Sequence, residues 1–443
     1  MEVLLENIVI YGSVGIIFFT ILFLYLRKQK KDSDVVEAKI KKAKEMGLHE
    51  PVSLHPVVDI NSCIKSGACI TACPEKDILG IKDGKATTIN ASRCVGHGAC
   101  FHACPVGAIS LKIGTETRGV ELPHVSPVFE SNVPGIYIAG EMGGMGLIKN
   151  AVEQGKQAVL NIAKNIKSNN KGNLDLVIVG AGPAGISASL MAKKNKLKFV
   201  TLEQDTLGGT VYSFPRAKIV MTAPMELPLY GKIKLVETSK DELISIWKGV
   251  LDANDIVIQE NTKVESVGKN GELFEVITKD KQYLAKAVLL AIGRRGSPRK
   301  LGVEGEQLPK VYYRLLDPEH INGKDVLVVG GGDSAVESAM ILADNGNNVT
   351  LSYRREKFNR IKPGNLDRIT EAEKSGEVKI ILNSNVLKIE KDKVLMKIEN
   401  DDSFTLANDL VYVFAGGELP REFLTKAGIK ITKKFGEIVM SHK

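Results

Sequence analysis

The stretch Leu174-Asp-Leu-Val-Ile-Val-Gly-Ala-Gly-Pro-Ala-Gly185 decides how most of this chain folds. Its apolar run predicts a buried strand, and helical spacing follows its three glycines, Gly180, Gly182 and Gly185. A second apolar run, Phe199–Leu202, leads into Glu203, 23 residues after the first glycine. Such glycines allow a tight turn that brings a pyrophosphate to the helix N-terminus, and an acid at this distance can accept a ribose hydroxyl. The stretch therefore predicts a dinucleotide-binding unit of the Rossmann type.

A second stretch of the same kind begins with the apolar run Asp325–Val329. It leads to a glycine turn and a predicted helix, with the fingerprint positions occupied by Gly330, Gly332 and Ala335. The following strand, Val349–Ser352, has no acid at its end, and Arg354 and Arg355 stand there instead. Arginines at this place suit a 2′-phosphate, which predicts NADP(H) in preference to NAD(H). The alternative is that the two arginines belong to a solvated turn.

All six cysteines lie in two copies of one pattern, 31 residues apart. Each copy has gaps of five and three residues between its cysteines and ends in Cys-Pro. The cysteines are Cys63, Cys69 and Cys73 in the first copy and Cys94, Cys100 and Cys104 in the second. Structural disulfides belong to oxidising compartments and zinc favours C-x2-C pairs, so the pattern favours iron–sulfur clusters over both alternatives.

Both copies resemble the C-x2-C-x2-C-x3-C-P run of bacterial two-cluster ferredoxins, in which the last cysteine of each run binds the other cluster. The resemblance implies two clusters held by three cysteines each: Cys63, Cys69 and Cys104 for one, and Cys94, Cys100 and Cys73 for the other. Ser66 and His97 stand where the family has its second cysteine. We therefore expect 4Fe-4S clusters with one ligand that is not cysteine, and 3Fe-4S clusters are the alternative. The matching places of Ser66 and His97 favour tuning of the reduction potential over decay of the motif.

Length and charge bound the remaining possibilities. A chain of 443 residues has room for about three domains. Hydrophobic residues at 44% and charged residues at 25% are ordinary for a globular protein. The net charge of +8 comes from basic residues scattered along the chain, whereas a nucleic-acid-binding face needs clustered basic residues with aromatic side chains. We therefore expect no nucleic-acid partner.

Residues 8–26 carry no charged side chain, and a helix of nineteen residues comes close to spanning the hydrocarbon core of a bilayer. Basic residues follow this run at once, whereas Glu2 and Glu6 precede it. The positive-inside rule then predicts a single-pass cell-membrane anchor at 1–28, with the C-terminal body in the cytoplasm. A cleaved signal peptide is the alternative, but the run is long for one and its basic residues are on the wrong side.

Residues 29–54 are predicted to form a linker helix behind the anchor. Ser33 or Asp34 is the expected N-cap, because either side chain can accept a hydrogen bond from the first turn. We expect this helix to be a solvated spacer. Contact of its basic residues with anionic headgroups is the alternative.

The two glycine fingerprints resemble those of flavoproteins with two dinucleotide-binding domains, of the thioredoxin reductase type. Four further stretches carry the resemblance: Gly208–Tyr212, Ala291–Arg295, Val411–Gly417 and Leu424–Gly428. In that family the first site holds FAD and the second NADPH, and a loop similar to Gly208–Tyr212 covers the flavin ring. The resemblance implies an α/β fold with two three-layer, Rossmann-like dinucleotide-binding domains. To these the sequence adds a small α+β ferredoxin domain and an N-terminal transmembrane helix.

This chain departs from that family in the position of one part of its flavin domain. The family normally finishes with a strand and helix whose acid binds the ribityl chain, and the similar stretch here, Ser126–Glu141, lies upstream of the first glycine turn. We infer a circular permutation, with Gly140 and Glu141 as FAD-binding residues. An independent linker beside a truncated flavin domain is the alternative. The predicted domains are 55–112 (ferredoxin-like), 113–167 (permuted element), 174–298 (FAD-binding), 299–405 (NAD(P)-binding) and 406–443 (return to the FAD domain).

The family's redox C-x2-C is also missing, since no cysteine lies outside 63–104. We therefore predict a membrane-anchored oxidoreductase that passes electrons between NADPH, FAD and two iron–sulfur clusters, to or from an unknown electron-transfer protein. One alternative is an NADPH-dependent reductase of an external disulfide protein, because residues 353–355 and 361–363 resemble those of bacilliredoxin reductases. Another is a redox subunit of a larger membrane complex. The sequence assigns no acid–base catalytic residue and leaves the oligomeric state open, with a homodimer as one choice.

Overall fold

The computed structural model describes residues 2–45, 49–51, 54–75, 77–94, 96, 98–144, 146–166, 173–214, 219–221, 224–235, 237–294, 298–358, 361–399 and 402–442. They form two compact units, Met1–Val120 together with Lys434–Lys443, and Glu121–Lys433. The fold is mixed α/β, as the sequence predicts.

The first unit begins with one long helix and continues as a small sheet with two short helices. Its elements are α1 (Glu2–Glu45), β1 (Leu54–Val58), α2 (Ala68–Ala72), β2 (Leu79–Lys82), β3 (Lys85–Thr88), α3 (Ala99–Ala103) and β4 (Ile109–Ile113). β1 and β4 pair antiparallel with Val58 opposite Ile109, and β2 and β3 form a hairpin. On its other side β4 pairs antiparallel with the strand Glu437–Met440, so the far end of the chain completes this sheet.

α1 differs from the sequence prediction in one respect, because it runs unbroken through the expected N-cap. Ser33 lies inside the helix, where its hydroxyl donates to the Asp83 carboxylate (3.1 Å) and accepts from the Asp83 N–H (3.0 Å). Ser33 and Ala43 are buried against the unit. The second half of α1 is therefore a docked helix and not the solvated spacer that its charges suggested.

The second unit contains two larger sheets. The elements up to the end of the first sheet are β5 (Val120–Pro123), β6 (Ile136–Ile138), α4 (Ile148–Asn165), β7 (Leu174–Val179), α5 (Pro183–Lys194), β8 (Phe199–Leu202), β9 (Ile219–Met221), β10 (Met225–Leu227), β11 (Gly231–Ile233), β12 (Glu237–Ser239), α6 (Lys240–Asp252), β13 (Ile258–Gln259), β14 (Val264–Asn270), β15 (Leu273–Thr278) and β16 (Gln282–Leu290). The strand order is β13-β8-β7-β16-β15-β14, and β6 also pairs with β16.

The strands of the first sheet that lie around the first glycine turn are parallel. β7 pairs in parallel with β8 and with β16, and β6 pairs in parallel with β16 through Ile136 opposite Val288. Its alternate residues pack on two sides: one core includes Leu176 and Ile178 with α4 and α5, and the other includes Val177 with β14 and β15. The segment before the first glycine turn therefore contributes a strand and a helix to this sheet.

The second sheet is all parallel. The elements from this sheet to the end of the chain are β17 (Val311–Tyr312), β18 (Asp325–Val329), α7 (Asp333–Asp344), β19 (Asn348–Ser352), α8 (Pro363–Ser375), β20 (Val378–Ile381), β21 (Ser384–Ile389), β22 (Lys393–Ile398), β23 (Ser403–Ala407), β24 (Leu410–Val413), α9 (Arg421–Lys426), β25 (Ile431–Lys434) and β26 (Glu437–Met440). The strand order is β17-β24-β18-β19-β20, and β21 to β23 form a separate antiparallel sheet. β25 pairs with β5.

These pairings correct the predicted boundaries at the end of the chain. The sequence assigned 406–443 to the FAD domain, but β24 is an inner strand of the second sheet, because its apolar residues fill the place beside β18. α9 does return to the first sheet, where Leu424 joins the core of β14 and β15. Residues 434–443 belong to the first unit, since β26 extends the sheet of β1 and β4.

Candidate cofactor sites

The first glycine turn joins β7 to α5 and has the backbone that a diphosphate requires. The N–H of Gly180 donates to the carbonyl of Leu202 (2.7 Å), and its φ of +102° is one that glycine adopts without strain. A side chain on Gly185 would begin 1.8 Å from the Gly180 carbonyl oxygen. The helix therefore starts against the turn, while the space beside Gly182, its N-cap, is open. Free N–H groups of a first helical turn facing open space suit an anion.

Glu203 closes the same turn from the end of β8. Its side chain is 5% exposed and its two carboxylate oxygens accept from the N–H of Ala181 (2.7 Å) and of Asp205 (3.0 Å). Burial raises the pKa of this carboxyl, and the two backbone N–H bonds counter part of that rise. Each oxygen still has a lone pair for a further donor. The residues present therefore fit the diphosphate and ribose of FAD.

The segment after β6 reaches this turn as well. The N–H of Gly140 donates to Gln154 Oε1 (2.8 Å), and a Cβ on Gly140 would lie 3.2 Å from the Cβ of Ala184 in the first turn of α5. Glu141 begins the 3-10 helix that follows. The structure thus brings Gly140 to the glycine turn, with Glu141 next to it in the chain, although 40 residues separate Gly140 from Gly180 in the sequence.

The loop that the resemblance assigned to the flavin ring lies on the same turn. The N–H of Gly208 donates to the carbonyl of Ala181 (2.9 Å). A Cβ on Gly209 would lie 3.4 Å from the Cα of Gly182. The loop therefore borders the space that a dinucleotide would fill. Arg295, at the end of another stretch used for the resemblance, lies outside the described residues.

The second glycine turn joins β18 to α7 with the same backbone contacts. The N–H of Gly330 donates to the carbonyl of Ser352 (2.9 Å), and Gly332 is the N-cap of α7. Ala335, fully buried, stands where the first turn has its third glycine. A Cβ on Gly332 would meet no atom within 4 Å. This turn also fits a dinucleotide diphosphate.

Three residues follow β19 beside this turn. Arg354 and Arg355 are exposed, and within the described residues neither guanidinium group has a charged partner. Sequence reasoning used Tyr353 only in a resemblance and gave it no role at this turn. Its ring lies so close to Gly331 that a Cβ there would fall 2.2 Å from it. The ring also stacks on Phe358 with 5.4 Å between centroids. An aromatic residue directly before an arginine pair was the available signal.

The six cysteines form two groups in the first unit. Cys63, Cys69 and Cys104 line one small cavity, together with the exposed Ser66. Two sulfurs there accept backbone hydrogen bonds: Cys63 Sγ from Ala86 N (3.4 Å) and Cys104 Sγ from Ala108 N (3.2 Å). Such bonds stabilise thiolates and help to set a cluster's potential. These are the three cysteines that the ferredoxin resemblance implied for one cluster.

Cys73, Cys94 and Cys100 are the other three: Cys73 ends α2, Cys94 follows the 3-10 helix Ala91–Arg93, and Cys100 lies in α3. Burial raises the pKa of Cys94 to about 12 and of Cys100 to about 11, so without iron these thiols hold their protons, and ligation must release them. Among the described residues no three His, Cys, Asp or Glu side chains could hold a single metal ion; in a cluster the thiolates bind different irons. His97 lies outside the described residues.

Known proteins resemble both parts of the chain. Residues 177–442 match the family model of pyridine nucleotide-disulphide oxidoreductases, and residues 55–105 match that of a 4Fe-4S dicluster domain. The chain is 26% identical over 265 residues to bacilliredoxin reductase Bdr of Bacillus subtilis (strain 168), covering 59% of this chain and 82% of that protein. It is 31% identical over 223 residues to a ferredoxin–NADP reductase of Ignicoccus hospitalis, covering 47% of this chain and 64% of that protein.

A solved structure resembles the fold. The bacillithiol disulfide reductase Bdr (YpdA) from Staphylococcus aureus superposes with a TM-score of 0.53 at 24% identity, covering 60% of this chain and 85% of that one. The resemblances found in the sequence, to flavoproteins with thioredoxin reductases among them and to dicluster ferredoxins, are thereby confirmed. The match over more than half of its length shows that this chain belongs to the pyridine nucleotide-disulphide oxidoreductase family, as an NAD(P)H-dependent flavin oxidoreductase that carries an iron–sulfur domain.

Proposed function

We propose that this protein is a membrane-anchored oxidoreductase that moves electrons between NADPH and a one-electron partner, using FAD and two iron–sulfur clusters. One observation carries the proposal: every cysteine of the chain lies in the two cluster motifs, so none remains for a dithiol relay. When bound, FAD takes up a hydride and can give electrons singly, and each cluster carries one electron.

At the first turn, Gly180, Gly182 and Gly185 leave room for the FAD diphosphate and aim N–H groups at it. Glu203 orients the adenosine ribose, because its buried carboxylate is held by two backbone N–H groups and accepts a further hydroxyl. Glu141 is the acid beside the ribityl chain. Its support is the packing of Gly140 on α5.

At the second turn, Gly330, Gly332 and Ala335 leave the same room for the diphosphate of NADPH. Arg354 and Arg355 bind its 2′-phosphate, for which two exposed guanidinium groups beside a glycine turn are well suited. Their lack of a carboxylate partner within the described residues supports this role over that of a structural turn.

In the first unit, Cys63, Cys69 and Cys104 hold one cluster and Cys94, Cys100 and Cys73 the other. Both are proposed to be 4Fe-4S, with a fourth ligand that is not cysteine. Electron paramagnetic resonance with iron counts tests this, because a 3Fe-4S cluster gives a signal when oxidised and a 4Fe-4S cluster when reduced.

The permuted arrangement of the FAD domain is part of the proposal. β6 and α4 take the place of the strand and helix that the family normally has at the end of the domain. Their support is the parallel pairing of β6 with β16 and the packing of α4 on α5, where a Cβ on Gly155 would fall 2.1 Å from the Ala184 carbonyl.

The membrane anchor is supported by α1. Its apolar part is long enough to cross a bilayer and is not buried within the protein. The basic residues that follow favour a cytoplasmic position for both units.

NADPH oxidation by the purified full-length protein tests the function. We expect turnover with a one-electron dye and none with a bacilliredoxin- or thioredoxin-like disulfide protein. Cys63→Ala should lower the rate of NADPH oxidation with an acceptor that takes its electrons from the clusters. Full-rate transfer in Cys63→Ala would place the clusters off the main path, and absence of flavin reduction by NADPH would contradict the proposal.

A second candidate is reduction of an external disulfide protein. It is favoured by the similarity to bacilliredoxin reductase over 265 residues. The same assay separates the two, since this candidate requires NADPH turnover with a disulfide protein and predicts that Cys63→Ala leaves that turnover unchanged.

A further inference from the structure

The loop between β1 and α2, residues 59–67, carries two large apolar side chains on its surface. Ile60 is 61% exposed and Ile64 is 63% exposed, and they stand on either side of Cys63 in the sequence. Single exposed apolar residues are ordinary on any protein. Their significance here depends on what lies beside the loop.

The neighbour of this loop is the end of the apolar segment of α1. The Lys65 ammonium lies 5.9 Å from the centre of the Tyr25 ring, within the range of a cation–π contact. Tyr25 is the last residue but one of the uncharged run 8–26. Tyrosines at the ends of membrane-spanning helices lie at the level of the headgroups. The contact therefore sets the loop at the level where the helix leaves the hydrocarbon.

The next turns of α1 hold the rest of the unit beside the helix. Ser33 bonds to Asp83, and Lys39 pairs with Asp77 (2.6 Å). The helix rises about 21 Å between Tyr25 and Lys39. The unit is in contact with α1 at both ends of this length, so no spacer separates the apolar segment from the cluster-binding loops.

We propose that the loop 59–67 rests on the bilayer surface, with Ile60 and Ile64 among the lipid headgroups. The proposal rests on the membrane anchor proposed above. Within the loop Lys65 balances the exposed Asp59, and Arg27 and Lys28 on the helix add positive charge that suits anionic headgroups. The cavity of Cys63, Cys69 and Cys104 then lies at the membrane surface, within reach of a partner confined to the membrane.

Tryptophan depth measurements on the full-length protein in nanodiscs test this. The natural Trp247 is the chain's single tryptophan and fully buried, so it gives a constant background. Ile60→Trp and Ile64→Trp probe the loop, and Phe23→Trp probes the span. Val35→Trp is the matched control, because Val35 is an exposed apolar residue about 15 Å further along α1 than Tyr25.

Fluorescence is compared between ordinary lipids and lipids brominated near the carbonyl group, so that quenching by the protein's own cofactors cancels. We expect a roughly twofold loss of the added fluorescence at either loop position, as for a side chain buried in the interface, and none for Val35→Trp. Ile64 lines the cysteine cavity and Ile60 does not, so Ile60→Trp keeps the test valid if Ile64→Trp loses iron.

The outcomes separate this inference from the anchor. Quenching of Phe23→Trp with both loop tryptophans unaffected would leave the anchor in place and overturn the loop's contact with the bilayer. If Phe23→Trp is also unaffected, there is no span, and both proposals are wrong.

Discussion

The two glycine turns of the second unit have the same backbone contacts and differ in the side chains beside them. In both, the first glycine donates its N–H to the end of the neighbouring parallel strand, and a side chain there would collide with a carbonyl oxygen at 2.6 Å. In the first turn the Glu203 carboxylate binds the backbone. In the second, the Tyr353 ring covers Gly331 and two arginines follow it.

The difference shows how one backbone can serve two nucleotides. The glycines provide the turn and the helix N-terminus, which any diphosphate can use. In the proposed assignment, the residues at the end of the next strand select the ribose hydroxyl or the 2′-phosphate. A buried carboxylate accepts hydrogen bonds from hydroxyl groups, whereas guanidinium groups donate hydrogen bonds to phosphate oxygens.

The largest effect is expected from Gly185→Ala, which breaks the first turn. The new Cβ would begin 1.8 Å from the Gly180 carbonyl, so the helix must move away from the turn. We expect purified protein without flavin and a free energy of unfolding lowered by about 2–3 kcal/mol. Visible absorbance and denaturant unfolding measure the two effects.

Ala335→Gly is the matched change in the second turn, because it creates the third glycine there. It should keep the flavin and lower the free energy of unfolding by only about 1 kcal/mol. A Gly185→Ala protein with its full flavin content would show that the close packing of α5 is not required.

Glu203→Gln sharpens the comparison at the first turn. It removes the charge and turns an amide donor toward the N–H of Ala181 or Asp205, so a charged hydrogen bond worth about 1.5–3 kcal/mol is lost. We expect FAD to dissociate about 10 to 100 times more readily, with an unchanged dissociation constant for NADPH. Equal weakening of both nucleotides would mean that Glu203 supports the unit as a whole.

Arg354→Ala combined with Arg355→Ala tests the second turn. The KM for NADPH should rise about tenfold or more, since charged hydrogen bonds to a phosphate are lost, while the KM for NADH and the flavin content stay unchanged. Lys357→Ala removes an exposed cation from the same loop and serves as control. If the control shifts the preference as much, general charge and not the arginine pair selects the nucleotide.

The smallest effect is expected from Gly331→Ala, which displaces the Tyr353 ring. The ring can swing aside, so the free energy of unfolding should fall by about 1 kcal/mol, with a few-fold rise in the KM for NADPH. Tyr353→Ala should make Gly331→Ala almost neutral. Additive effects of the two changes would show that the ring does not rest on the turn.

Sequence reasoning predicted those features that a short pattern encodes. The strand before each glycine turn and the helix after it are set by local apolar spacing. The two groups of thiols were implied by the ferredoxin resemblance, which the cysteine gaps carry. Glu203 was found because the acid stands at a fixed distance from the first glycine. Tyr353 was given no role at the second turn, because its contact with Gly331 depends on two parallel strands lying side by side.

The errors came from pairings between distant segments. Ser33 has the side chain of an N-cap, yet its hydroxyl bonds to Asp83, which lies 50 residues further on. β24 and β26 were both assigned to the FAD domain because the resemblance to the flavoproteins implied that the end of the chain returns to it. Strand partners far apart in a chain leave no local signal, so neither assignment could be corrected without the structure.

The strand β26 ties the completion of the first unit to the order of translation. β4 leaves the ribosome before the second unit is made and β26 leaves after it, so the sheet of β1, β4 and β26 stays open while Glu121–Lys433 is synthesised. β26 also brings His442 against Phe101, with ring centroids 3.8 Å apart, next to Cys100. The sheet beside Cys100 is therefore complete only after the second unit has been synthesised.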